Sequence, residues 1–147
     1  MSKSTTLSVF PDVNVWLALS SPDHQHFSPA WAWYTALPDQ TVLIFCRHTQ
    51  LGLLRLLTTQ SVMGKGTLTQ TQAWKAYDLW HESGGARFAE EPAGLEAAFR
   101  SCSASQQASP KEWADAYLAA FADAANLTLV TFDRALTGKA KGAVLLG

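Results

Sequence analysis

Short apolar runs alternate along this chain with longer stretches in which apolar residues recur every three or four positions, a pattern that predicts a mostly parallel sheet covered by helices. The first strand is predicted at about Leu7 to Phe10, with a helix beginning near Asn14 and carrying Val15, Trp16, Leu17 and Leu19. Ser28-Pro29 predicts a second helix, with Ser as N-cap and Pro at the first helical position, running through Trp31, Trp33 and Tyr34 to Leu37. Thr41 to Phe45 is the clearest strand, because it is continuously apolar as a strand buried on both faces must be. A helix from about Arg47 to Leu57 follows, then a flexible loop at Gly64 and Gly66. Thr69 with Gln72 forms a capping box that opens a helix through Trp74, Tyr77 and Trp80, ending before Gly84-Gly85. Ala86-Arg87-Phe88 reads as a short strand, Gly94 to Cys102 as a modest helix, and Ser103 to Ser109 as a polar loop. Ser109-Pro110-Lys111-Glu112 signals a helix running to about Ala125, with Leu127 to Phe132 as the fourth strand and Ala143 to Leu146 as a short last one.

Two of the predicted strands deliver a carboxylate at their carboxyl ends, Asp12 after the first and Asp133 after the fourth. Open α/β sheets bind ligands along that edge. A third acid is predicted to join them. From Asp115 to Ala125 the helix climbs ten residues, roughly 15 Å at 1.5 Å each, and from Thr128 back to Asp133 the strand covers roughly 16 Å at 3.3 Å each. The paths are equal and opposite, so Asp115 and Asp133 finish on one rim, and Asp12 joins them if the first and fourth strands are neighbours. Crowded carboxylates raise one another's pKa unless a cation compensates. Oxygen donors without His or Cys select a hard divalent ion, Mg²⁺ or alternatively Mn²⁺. Gln50, in the first turn of the helix after the second strand, reaches the same rim, where its amide oxygen could accept a hydrogen bond from metal-bound water.

Composition narrows the picture without naming a chemistry. The chain has 147 residues, enough for one domain with a substantial core, and 48% apolar against 16% charged residues excludes a disordered chain. A formal net charge of −1 argues against a globally basic nucleic-acid binder. Cys46 and Cys102 share no metal-ligand spacing and suggest neither a disulfide framework nor a zinc site. The segment Met1 to Thr6 lacks an apolar signal core and no run is long enough to span a membrane, so a soluble cytoplasmic protein is expected.

Four segments, Pro11 to Leu17, Arg47 to Thr58, Ala114 to Ala120 and Leu129 to Arg134, together carry a resemblance that covers almost the whole chain. On these residues the chain resembles PIN-domain ribonucleases, specifically the VapC-type toxins of bacterial toxin–antitoxin pairs. The resemblance implies a three-layer α/β/α fold with a five-stranded sheet of order 3-2-1-4-5 and a Mg²⁺-dependent endoribonuclease site, with Asp12, Asp115 and Asp133 on the family's acidic positions. It also implies an RNA substrate, a VapB-type antitoxin and a homodimer. Gln50 departs from the pattern, standing where many PIN domains have Glu. Arg134, Arg55 and Lys65 are the candidate contacts to RNA phosphates.

Each residue also has a plain structural reading. Asp12 and Asp133 could simply cap helices or turns, and Asp115 could serve the helix dipole. His24 and His26 lack further ligands nearby and read as loop packing. The six tryptophans fit core or partner-interface packing better than base stacking. A non-catalytic PIN-like scaffold remains an alternative to the nuclease. A metal-dependent phosphatase is a third reading, but Asp12-Val13-Asn14 lacks the second acid that an Asp-x-Asp mechanism supplies.

Overall fold

The computed structural model describes residues 7–147, so the segment Met1 to Thr6 lies outside the described residues. Five strands, β1 (Ser8–Pro11), β2 (Val42–Phe45), β3 (Ala86–Phe88), β4 (Thr128–Thr131) and β5 (Val144–Leu145), form one sheet in the order β3-β2-β1-β4-β5. Every pairing is parallel, more uniform than the mostly parallel sheet expected. Parallel strands need crossovers, and eight helices are described: α1 (Val13–Ser20), α2 (Phe27–Thr35), α3 (Arg47–Leu57), α4 (Gln60–Met63), α5 (Gln70–Ser83), α6 (Leu95–Cys102), α7 (Glu112–Ala125) and α8 (Arg134–Thr137).

Alternation along each strand splits the core in two. Val9, Leu43, Phe45 and Val130 face α1, α3 and α5, where Trp16 stacks on Phe45 at 3.8 Å between ring centroids. Phe10, Ile44 and Leu129 face the opposite way, against Leu118, Phe121 and Ala122 of α7, with the Phe10 and Phe121 rings stacked at 5.0 Å. Because both faces are covered, the inner strands β1, β2 and β4 carry no polar side, which is why their runs in the sequence are continuous.

Several expected boundaries shift, each for a local reason. The second helix begins at Phe27, after His26, and Ser28 makes no capping bond. Pro29 therefore sits inside the first turn, where its missing N–H has no helical partner to lose. The helix signalled by Ser109-Pro110 begins at Glu112, because the Ser109 carbonyl accepts the Glu112 N–H at 3.1 Å in a preceding turn. Asp115 remains in its first turn. The stretch expected to be a loop around Gly64 and Gly66 folds into α4 and a 3-10 turn. The Thr69–Gln72 capping box forms in both directions, at 2.9 and 3.1 Å.

At the crossing of α1 and α3 the helices approach so closely that a Cβ on Gly52 would lie 2.6 Å from Val13 Cγ2. Gly52→Ala is expected to destabilise the fold by about 1–3 kcal/mol through overpacking. Urea unfolding should show much of that loss recovered in the Val13→Ala, Gly52→Ala double variant.

Candidate active site

Asp12 is placed by two constraints. Its peptide N–H still belongs to the sheet, donating to Val130 O at 2.9 Å, while its side chain already caps α1 by accepting the Val15 N–H at 3.1 Å. The other carboxylate oxygen accepts the Thr131 hydroxyl from the neighbouring strand. Only 6% of Asp12 is exposed, and burial pushes its carboxyl above the usual aspartate value, with the nearby charge of Asp115 adding to the rise. The capping hydrogen bonds work against this and do not overcome it.

Asp133 stands two residues beyond the end of β4, exposed, and caps α8 by accepting the Ala135 N–H at 2.9 Å and the Leu136 N–H at 3.4 Å. Its own N–H donates to Thr131 Oγ1 at 3.0 Å. The buried Thr131 hydroxyl thus ties the two strand-end acids together, a role that no sequence motif had marked. Asp115, half-buried, has its carboxyl raised first by burial and then by the charge of Asp133, so helix and strand do return these two acids to one rim. Lys139, absent from the sequence-based candidates, pulls the Asp115 value partly back and pairs with Glu112 at 3.2 Å.

Among the described residues, no group of three or more His, Cys, Asp or Glu side chains has closed into a ready metal cage. Asp12 and Asp133 are turned onto their helix caps, so the capping readings are correct as far as they go. Asp115 caps nothing, and its place in the first turn of α7 also agrees with the helix-dipole reading. A carboxylate buried at Asp12, a second raised by burial and then by the charge of Asp133, and Asp133 itself make an oxygen-only, electron-rich donor set that fits a hard divalent cation.

The remaining candidates scatter. Gln50 is 7% exposed, with its Oε1 accepting from Arg47 Nη1 at 2.6 Å and its amide facing the Tyr77 phenol. Arg134 follows Asp133 and is exposed. Arg55 lies in the last turn of α3, and Lys65 in the turn beyond α4, away from the rim where α3 begins. His26 stacks on Phe132 at 4.7 Å and its N–H donates to His24 Nδ1, so this pair packs a loop. Trp16, Trp33 and Trp80 pack in the core, whereas Trp31, Trp74 and Trp113 are exposed. A cavity of about 640 Å³ lies beside the acids and not over them, between Cys102 to Ser109 and the Glu112–Lys139 pair.

An all-parallel α/β domain of this strand order, with acids following its central strands at their carboxyl ends, defines a class of protein. The chain belongs to the PIN-domain family, whose model, described as PIN domain, matches residues 9–142. Within that family it is similar to Ribonuclease VapC41 of Mycobacterium tuberculosis, with 43% identity over 130 residues, 86% of this chain and 89% of that protein. Solved structures share the fold at lower identity. A sarcin-ricin-loop-cleaving toxin, VapC20 of Mycobacterium tuberculosis, gives a TM-score of 0.61 at 16% identity, over 88% of this chain and 93% of that one. VapBC2 of Rickettsia felis, bound to a DNA fragment from its promoter, gives 0.62 at 13%, over 95% and 97%.

Because Asp12 is raised in the fold, the stability tied to its proton is complete below the unfolded value and is lost as pH rises through the folded one. Metal-free Asp12→Asn is therefore expected to melt above metal-free wild type at neutral pH, and to lose that advantage below about pH 4. Thermal melts in EDTA at both pH values check this.

Proposed function

We propose that this chain is a VapC-type endoribonuclease that hydrolyses RNA phosphodiester bonds, using Mg²⁺, or Mn²⁺ in its place, held by Asp12, Asp115 and Asp133. The observation that carries the proposal is the buried Asp12 carboxylate, raised by burial and by the charge of Asp115, on a rim shared with Asp133. Family membership supports the substrate class. When bound, the ion supplies an activated water and neutralises charge developing on the phosphodiester. The chain's own part is to hold the acids. Thr131 fixes Asp12 against Asp133, and the raised, half-buried Asp115 is suited to accept or orient a proton at its carboxylate. Arg134, exposed next to Asp133, would meet a backbone phosphate in this reading.

The same reading carries a VapB-type antitoxin, which would bring an apolar segment and a basic side chain to the acids, and a homodimer. Exposed apolar residues such as Trp31, Leu51, Trp74 and Leu79 support partner surfaces of this kind. Two free cysteines fit a reducing cytoplasm, and no helix among the described residues is long and apolar enough to cross a membrane.

Purified protein incubated with total RNA is expected to give discrete cleavage in Mg²⁺ and none in EDTA. Asp12→Ala, Asp115→Ala and Asp133→Ala should each lower the rate by more than roughly 100-fold, beyond the cost of losing a supporting partner of a metal site. Cleavage that persists in EDTA or in Asp12→Ala would sink the mechanism, whereas no cleavage by wild type in Mg²⁺ would leave the scaffold reading. Mg²⁺ should also raise the melting temperature of wild type and not of Asp12→Ala, since only a bound ligand shifts the folding equilibrium.

A further inference from the structure

Arg47 is the first residue of α3, and its guanidinium is held from two sides. Nη1 donates to Gln50 Oε1 at 2.6 Å, and Cζ stands 4.7 Å from the centroid of the Phe88 ring. Phe88 closes β3 and Phe45 closes β2, so the group lies over the carboxyl ends of these strands, on the edge that also bears Asp12 and Asp133. Among the described residues the ion pairs are Arg100–Glu96 and Lys139–Glu112, and Arg47 belongs to neither.

The placement is costly by itself. A cation at a helix N-terminus opposes the helix dipole, and here no carboxylate offsets it. The neutral Gln50 amide and the Phe88 ring orient the fork and leave its charge intact. Part of the rotamer entropy that a long arginine loses on binding is thereby lost in advance. A planar, fixed and unneutralised guanidinium with donors to spare matches a phosphate. The identity of Gln50 follows the same logic. A glutamate three residues along the helix, as the family pattern has it, would pair with Arg47 and cancel the charge.

We propose that Arg47 binds a phosphate of the RNA backbone and that Gln50 is its positioning residue, selected as an amide because a carboxylate would neutralise the arginine. This rests on the ribonuclease reading. The two fixed charges then divide the rim: acids beyond β1 and β4 for the reacting phosphate, and a cation beyond β2 and β3 for a neighbouring one.

The test is equilibrium binding of a labelled, mixed-sequence single-stranded RNA in EDTA, where nothing is cleaved, across a salt series. Arg47→Ala is expected to weaken binding roughly tenfold, the scale of one charge-assisted hydrogen bond. It should also flatten the slope of log affinity against log salt by about 0.7, one phosphate contact on a single strand. Gln50→Glu should do the same in wild type and add nothing in the Arg47→Ala background, while Arg47→Lys should keep the salt slope and lose affinity. Thermal melts of all variants separate these effects from misfolding. Unchanged affinity and slope in Arg47→Ala, or an equal effect of Gln50→Glu with and without Arg47, would overturn the proposal while leaving the nuclease intact. A wild-type chain that binds no RNA overturns the ribonuclease reading and this inference with it.

Discussion

The structure turns on the junction at Asp12, where a sheet, a helix and a neighbouring strand all meet one carboxylate. The backbone of Asp12 closes the β1–β4 ladder, one side-chain oxygen starts α1, and the other takes the Thr131 hydroxyl. These contacts exclude water from a charged group, which the fold tolerates only at the expense of raising its pKa. A carboxylate that served only as a helix cap would be as effective exposed to solvent. Its burial, beside a second acid, makes sense if a cation is meant to supply the missing compensation.

Around that point the charges are sorted by strand. Asp12 and Asp133 leave the two central strands β1 and β4, and α7 brings Asp115 back to them over a path matched in length to β4. On the other side, α3 starts with a cation that is oriented by Gln50 and Phe88 but not neutralised. Lys139, paired with Glu112, moderates the acid cluster from the far end of α7's first turn. A polyanion lying along such an edge meets carboxylate oxygens and a fixed guanidinium in turn, which suits an extended phosphate backbone bridged by a cation better than a compact ligand.

Much of this was legible in the chain. Continuous apolar strands ending in Asp12 and Asp133, and a helix long enough to return Asp115 to them, follow from backbone periodicity and rise per residue alone. The starts of α2 and α7 are not, because a Ser-Pro pair fits the inside of a first turn, as at Ser28-Pro29, or a turn before the helix, as at Ser109-Pro110, where the Ser109 carbonyl takes the Glu112 N–H. Thr131 was hidden inside an apolar strand, where a threonine ordinarily signals β propensity and nothing more. Gln50 stands out in the sequence as a departure from the family pattern, but its partner Arg47 does not, since an arginine at a helix start carries no spacing signature.

The sequence by itself determined the alternation of strands and helices, the burial of both sheet faces and the edge on which the acids lie, because these depend on local geometry that repeats every two or 3.6 residues. Tertiary structure decided how much water each acid keeps, and that Thr131 bridges two of them. It also decided that the Gln50 oxygen turns toward Arg47. Those outcomes depend on side chains from strands far apart in the chain, or on rotamers chosen by packing. Pair energies of that kind leave no periodic trace in the order of residues.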